Sequence, residues 1–474
     1  MPELIKKYIT KIIFCTEILL LSGCELIEYH PYDTHIHGDK EINYTQIEKI
    51  ENSCSSKESI RFILMGDSQR CYDETEDFVD HVNSRNDIDF VIHGGDVSDF
   101  GLTREFIWAR DIMNKLNVPY VTLIGNHDVL GNGKAVFEEI FGTDNFSFIA
   151  GKTKFVCLNT NALEYDYSHP VPDFNFLNSE MTTRQDEYTQ TVVVMHAKPY
   201  CDQFNNNVAE YFHYTLKNFK NLRFCLHAHE HNTKETDIFE DGTIYYGCPS
   251  MDKRSYLLFT LTQNEYGYEE VFSNLLLILF SIYPLKLLAQ TETDHTNERL
   301  LTAWQKMIPR YTKIQFAGGM GLLSAGVGWN YGHNKSWETE VLWGFVPSFS
   351  NDRTKLTMTL RENYVPWSVR LGKGWSLQPL SCGIYINTIF DGNLWIKEPE
   401  KYPNGYYWFS TKIRTHVQLG QRISFYDKKF IRRTMSLFYE LSTCDLYILN
   451  ACSNRYVRLS DILSLSFGFR IQLI

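Results

Sequence analysis

Arg61-Phe62-Ile63-Leu64-Met65-Gly66-Asp67-Ser68-Gln69 opens with a short run of large apolar residues that stops on a glycine and an aspartate. Such a run is too short for a buried helix and reads as a strand covered on both faces. The same figure recurs along the chain. Residues 90–93 are followed by Gly94-Gly95-Asp96, residues 120–124 by Gly125-Asn126-His127-Asp128, residues 191–195 by His196, and residues 223–226 by His227-Ala228-His229. A further strand fits residues 155–158, and helical stretches fit residues 73–84 and 103–116. This alternation predicts a layered α/β architecture, in which chemistry gathers at the carboxyl ends of strands. Five polar clusters stand at five such ends.

The residue types suit a pair of divalent ions. An anion must bridge such a pair, and the carboxylate of Asp96 has an oxygen for each. Asp67 and His229 are expected on one ion, and Asn126, His196 and His227 on the other. This nitrogen and oxygen set, free of thiolate, is typical of manganese, iron or zinc. Residues two apart at a strand end point the same way, so the His227-x-His229 spacing reaches neighbouring ions. Two ions about 3.5–4 Å apart acidify a shared water and clamp phosphoryl oxygens. His127 is then placed to protonate the leaving group, with Asp128 or Asp99 as its orienting carboxylate.

The set resembles the calcineurin-like metallophosphoesterase superfamily, whose motifs run D-x-H, GD, GNH[DE], H and GHxH in that order. Order and strand context match between residues 60 and 250, with two departures. Gln69 stands where the first histidine usually stands, and Leu226 replaces the glycine of GHxH. An amide oxygen ligates transition metals more weakly than imidazole, so Gln69 is a candidate ligand at a weakened first site. The resemblance implies a four-layer sandwich, two central β-sheets flanked by helices, a cofactor of two divalent metal ions (Mn, Fe or Zn), and a phosphoester substrate.

Length and composition set the frame. A chain of 474 residues is expected to form two domains. A net charge of −11 argues against nucleic-acid backbone as the partner. The 11 cysteines show no CxxC spacing, so no zinc ribbon is legible. In an exported chain Cys201 could pair with Cys225 or Cys248. Lysines at 6, 7 and 11, the apolar residues 12–21 and then Leu21-Ser22-Gly23-Cys24 resemble a bacterial lipoprotein signal, which would make Cys24 the lipidated first residue of the mature chain. Glu17 inside the apolar run fits a buried N-terminal helix better. A second apolar run, residues 274–289, is about 16 residues long and interrupted by Pro284 and Lys286, short of the roughly 20 that span a bilayer. It reads as a second secretory signal, kept from a fusion of two exported proteins, with cleavage near Ala289, or as a linker or anchor.

From Lys313 onward the pattern changes to period two. Between residues 413 and 423 the odd positions are mostly apolar and the even ones polar or small, and residues 435–441 and 463–473 repeat this. Roughly eight strands with one oily face can be drawn. A soluble sandwich would turn the oily faces inward; an outer-membrane barrel would turn them toward lipid. The signal-like run before this half and its excess of tryptophan and tyrosine favour an antiparallel barrel, whereas the terminal Ile474 departs from the usual aromatic.

The expected organisation is therefore a signal peptide over 1–24, a linker over 25–59, the metallophosphoesterase domain over 60–272, a hydrophobic segment over 273–290 and a β-barrel over 291–474. The expected activity is metal-dependent phosphoester hydrolysis in the bacterial cell envelope, with the membrane engaged through Cys24 and the barrel. The alternative is a non-catalytic binding or assembly protein with a degenerate metal site.

Overall fold

In strand β1 (Ser59–Met65) both faces are apolar, and each meets a different core: Phe62 and Leu64 pack on one side, Ile63 and Met65 on the other. The computed structural model describes residues 27–165, 169–273, 308–348, 353–372, 374–426 and 433–473. Around β1 lies a five-stranded mixed sheet. β2 (Phe90–His93) and β3 (Tyr120–Thr122) run parallel to it, β10 (Ser255–Thr262) lies antiparallel on its other side, and β11 (Tyr266–Phe272) pairs antiparallel with β10. A second sheet has a parallel centre of β5 (Thr153–Leu158), β6 (Gln190–Met195), β7 (Leu222–His227) and β9 (Ile244–Gly247), flanked by β4 (Phe146–Ala150) and β8 (Lys234–Asp237). Its strand order is β4-β5-β6-β7-β9-β8.

The two sheets share a core of aromatic rings. Phe62 stacks on Phe90 and Phe259, each at 5.3 Å, and meets Phe155 edge-on at 5.1 Å. Helices α2 (Tyr72–Asn83) and α3 (Thr103–Met113) cover the outer face of the first sheet; α5 (Phe174–Glu180) and α6 (Ala209–Leu216) cover that of the second. This is the four-layer sandwich. Residues 27–58, expected as a linker, belong to it: α1 (Ile42–Cys54) buries Ile50 and Cys54 in the inter-sheet core. Its lack of strand alternation hid it. A short helix, α4 (Gly133–Ile140), follows the third strand end.

The second half closes on itself. β12 (Tyr311–Ala317), β13 (Leu323–Tyr331), β14 (Trp337–Val346), β15 (Lys355–Tyr364), β17 (Trp375–Phe390), β18 (Ile413–Tyr426), β19 (Thr434–Cys444) and β20 (Ser464–Gln472) form an antiparallel ring, joined where β12 pairs with β20. β16 (Val369–Gly372) extends the β17 hairpin beyond the ring. The two-sheet sandwich is thereby excluded, for a physical reason: the buried positions are the polar ones. Lys313 lies 3.1 Å from Glu340 and 3.3 Å from Glu440, and Arg361 is 2.5 Å from Glu440. Glu338 takes both Arg422 (3.0 Å) and Arg470 (2.7 Å). Trp343, Leu360, Ile384, Ile386, Leu419 and Leu437 point outward and are exposed. An apolar interior cannot house unpaired charge, so these ions neutralise one another.

One mouth of the barrel is packed against the layered first half. Glu28 accepts hydrogen bonds from Tyr447 and Ser464 and pairs with Arg104 of α3. α7 (Asp445–Ser453), in the β19–β20 connection, donates from Asn450 to Glu105. Tyr402, Tyr407, Phe409, Leu446 and Tyr447 join the same core cluster as Phe106 and Ile112. The described cysteines, Cys201, Cys225 and Cys248 among them, are free thiols, so the disulfide alternative falls. Cys24 and residues 274–289 lie outside the described residues.

Candidate metal centre

Each candidate residue stands where a strand ends and the backbone turns sharply. Asp67, Asp96 and His229 adopt left-handed backbone with φ of 49°, 58° and 65°, a costly conformation for side-chain-bearing residues that persists only where the surroundings enforce it. Here they do. Asp67 N donates to Gly95 O at 3.0 Å, and Ser68 N and Gln69 N donate to Asp96 O. The carboxylate of Asp128 accepts from the amides of Asp96, Val97, Ser98 and Gly125. Two glycines permit this closeness: a Cβ on Gly125 would lie 2.0 Å from Asp96 Oδ1, and one on Gly95 would lie 2.8 Å from Gly125 N.

Asp96, His196 and His229 present ligand atoms within 4.8 Å of one another. His196 donates through Nδ1 to Gly94 O at 2.9 Å, which turns Nε2 toward Asn126 Oδ1 (3.0 Å) and Asp96 Oδ2 (3.4 Å). Such electron-rich atoms repel unless a proton or cation lies among them. Burial works against a charged His196, yet Asp96 outweighs it and raises the ring to about 9. For Asp96, burial pushes upward but the neighbouring His196 and His127 hold it below the usual carboxylate range. Burial pushes His227 down to about 4 and His229 to about 3, so both are neutral and able to ligate at neutral pH.

Two more buried atoms, Gln69 Oε1 and His227 Nε2, have no hydrogen-bond partner, and Asp67 Oδ1 has only His231 Nε2 near it, at 3.4 Å. His227 Nδ1 donates to Ala228 O at 2.9 Å, leaving the Nε2 lone pair free. Acceptors of this kind, gathered on a rim of nitrogen and oxygen donors, fit divalent cations. Leu226, the second departure from the family motif, faces the inter-sheet core and leaves the rim unchanged.

His127 lies beside this rim. Its Nδ1 is 2.8 Å from Asp99 O and 3.2 Å from Asp99 Oδ1, and its amide donates to Asp96 Oδ1. Burial opposes charging the ring, but Asp96 and then Asp99 outweigh it, and the ring is raised to about 10. Of the two carboxylates open from sequence, Asp99 contacts His127, and Asp128 is spent on backbone amides. Arg70 pairs with Asp99 at 2.7 Å. Other neighbours in sequence turn elsewhere: His93 bonds Ser68 in the core, Lys198 pairs with Glu230, and Arg254 with Glu74. His231 reaches Asp67 at 3.4 Å.

Sequence reading missed the contribution of the distant half. Tyr407, from residues 391–412 between β17 and β18, accepts from Asn126 Nδ2 at 3.0 Å and donates to Glu164 at 2.9 Å. Its ring meets His127 edge-on at 5.3 Å. The aromatic excess around residues 402–409 was the available signal, but nothing in it pointed to this site.

Residues 60–233 match the family model described as calcineurin-like phosphoesterase. No curated protein matches the chain. Among solved structures, the chain is similar to GAP50, the anchor in the inner membrane complex of Plasmodium, at 13% identity and a TM-score of 0.35, covering 46% of this chain and 85% of that one. It is similar to TT1561 of Thermus thermophilus at 12% identity and 0.34, covering 45% and 99%. For the calcineurin-like phosphoesterase YfkN from Bacillus subtilis the values are 10% and 0.32, covering 45% and 91%. Motif order, layered fold and family match agree: residues 60–233 form a calcineurin-like phosphoesterase domain.

Proposed function

We propose that this chain is a metal-dependent phosphoester hydrolase with a dinuclear centre, exported and anchored in the bacterial cell envelope. The observation that supports it most is the pair of buried, partnerless acceptors at the strand ends, Gln69 Oε1 and His227 Nε2, together with Asp67 beside Asp96, His196 and His229. Asp67, Gln69 and His229 would hold one ion, Asn126, His196 and His227 the other, and Asp96 both. Two manganese, iron or zinc ions, when bound, supply Lewis acidity toward a phosphoryl oxygen and acidify a water. The chain's own part is positional and protic. His127, fixed through Nδ1 by Asp99, keeps its other ring nitrogen free to hand a proton to the leaving alkoxide. The test is a panel of phosphomonoesters and phosphodiesters given to the full chain in detergent with each metal; no metal-dependent turnover with any would overturn the reading.

Gln69 favours a second reading, a binding or assembly protein with a degenerate metal site. The substitution Gln69→His decides between them. A weakened enzyme should gain metal affinity and turnover, on the order of tenfold or about 1.4 kcal/mol; a variant that binds metal more tightly and still turns nothing over would favour the scaffold.

Membrane anchoring is supported by the inverted barrel, charged inside and apolar outside. Among the described residues no helix is long and apolar enough to cross a membrane, which leaves the strands as the candidates. Leu360 and Ile386 are cross-strand partners, 51% and 46% exposed. In lipid, Leu360→Arg should cost about 2–4 kcal/mol of folding stability, falling toward zero if that face meets water. Equilibrium unfolding in liposomes measures it, and a neutral result would remove the bilayer from the account. Lipid attachment at Cys24 would add a second anchor, read by incorporation of labelled fatty acid in the wild type and its loss in Cys24→Ser.

A further inference from the structure

Asn126 carries one oxygen and one NH2 group on the same planar amide, and only the oxygen can ligate a cation. Which of the two faces the centre is decided by the hydrogen-bond network around the side chain. Within the phosphoesterase half alone, the network leaves the choice open. His196 Nε2 lies 3.0 Å from the Asn126 amide and can donate to its oxygen when the ring is charged or accept from its NH2 when the ring is neutral. The ring by itself therefore does not fix which way the amide turns.

The barrel half makes the choice. Glu164 accepts from three donors: Gln203 Nε2 at 2.8 Å, Tyr402 OH at 2.7 Å and Tyr407 OH at 2.9 Å. Tyr407 has one hydroxyl proton, and Glu164 takes it. What the hydroxyl offers to Asn126 is therefore a lone pair, which only the NH2 side of the amide can satisfy, and the 3.0 Å contact runs from Asn126 Nδ2 to Tyr407 OH. Asn126 Oδ1 is left facing His196 and the centre. Tyr407 is 3% exposed and packed among Trp395, Tyr402, Tyr406 and Phe409, so the hydroxyl is held on rigid surroundings.

We infer that Tyr407, contributed by the β17–β18 connection of the barrel, is a positioning residue that orients Asn126 Oδ1 toward the metal centre, so that the site is complete only when both halves of the chain are assembled. The inference rests on the dinuclear reading above. A phosphoesterase half cut free of the barrel would keep every direct ligand and lose the group that turns one of them the right way.

The test is a metal-binding titration, which does not depend on turnover. Full-length protein in detergent, stripped of metal, is titrated calorimetrically with Mn2+, as wild type, Tyr407→Phe, Asn126→Asp and the double variant, with unchanged circular dichroism required of each. Tyr407→Phe is expected to weaken one of the two Mn2+ affinities by about 10-fold. In the Asn126→Asp background either carboxylate oxygen can face the ion, so adding Tyr407→Phe should change affinity less than about 2-fold. Tyr402→Phe, which removes a donor to Glu164 and leaves the bonds of Tyr407 in place, should bind Mn2+ as the wild type does. Equal losses from Tyr407→Phe in both backgrounds would mean a general packing role and overturn the inference, as would no loss in the wild-type background. Failure of the wild-type chain itself to bind Mn2+ would instead strike the dinuclear reading, and this inference with it.

Discussion

Replacing Asp96 by alanine is expected to abolish metal-dependent phosphoester hydrolysis, a loss of at least about 10³-fold corresponding to about 4 kcal/mol or more of transition-state stabilisation. Asp96 touches several parts of the centre. Its side chain lies 3.4 Å from His196, accepts from the amide of His127 at 3.0 Å, and is the first charge raising both of those rings. Its backbone carbonyl also accepts from Ser68 and Gln69, so the loop that carries the first ligands rests on it. On the proposed reading, alanine removes the carboxylate that would serve both of the ions held by His196, His229 and Asp67. Asp96→Asn is the sharper form, because it keeps the shape and removes only the charge. Turnover and metal content of the two variants, measured together in the full-length protein, check the prediction. Retained turnover in Asp96→Asn would mean that no bridging carboxylate is required and that the chemistry lies elsewhere.

The second large effect is expected inside the barrel. Glu340 accepts from Lys313 at 3.1 Å and Tyr311 at 2.9 Å and lies 3.4 Å from Arg361, all of them buried. Glu340→Ala leaves two cations to share Glu440, and breaking a buried pair from one side costs about 3–5 kcal/mol. Equilibrium unfolding in detergent should register this as a marked drop in midpoint. Removing the cation together with the anion, as Glu340→Met with Lys313→Met, should recover most of the loss, because no unpaired charge then remains. If the single variant is as stable as the wild type, water reaches the interior and the ions are solvated rather than mutually paired. An exposed pair on the other half, such as Lys40 with Glu139, gives the contrast: its loss should fall within about 1 kcal/mol.

The sequence by itself determined the layered phosphoesterase half, because the signals there are local. A strand such as β1 must be apolar on both faces to sit between two layers, and the backbone must turn immediately after it, so the glycines and polar residues fall at fixed offsets from the runs. Asp67, Asp96, Asn126, His196, His227 and His229 could therefore be named as candidate ligands from spacing, whereas the role of Asp128 could not. Its four amide contacts span separate loops, and a carboxylate beside a histidine looks the same in sequence whether it orients the ring or ties the backbone. Period two in the second half likewise named strands without saying which face turns inward. Closure decided it: with β12 paired to β20 the strands form a ring, the charged positions meet inside it as mutually paired ions, and the apolar positions fall on the outside.

The tertiary structure alone decided the rest. Residues 27–58 carry no strand pattern, and their burial in α1 and against the barrel mouth depends on surfaces that exist only after folding. The link between Asn126 and Tyr407 joins residues 281 positions apart. Hydrophobic periodicity reports on a residue's own element and cannot report on a neighbour supplied by another, which is why the part of the site that comes from the barrel became visible only in three dimensions.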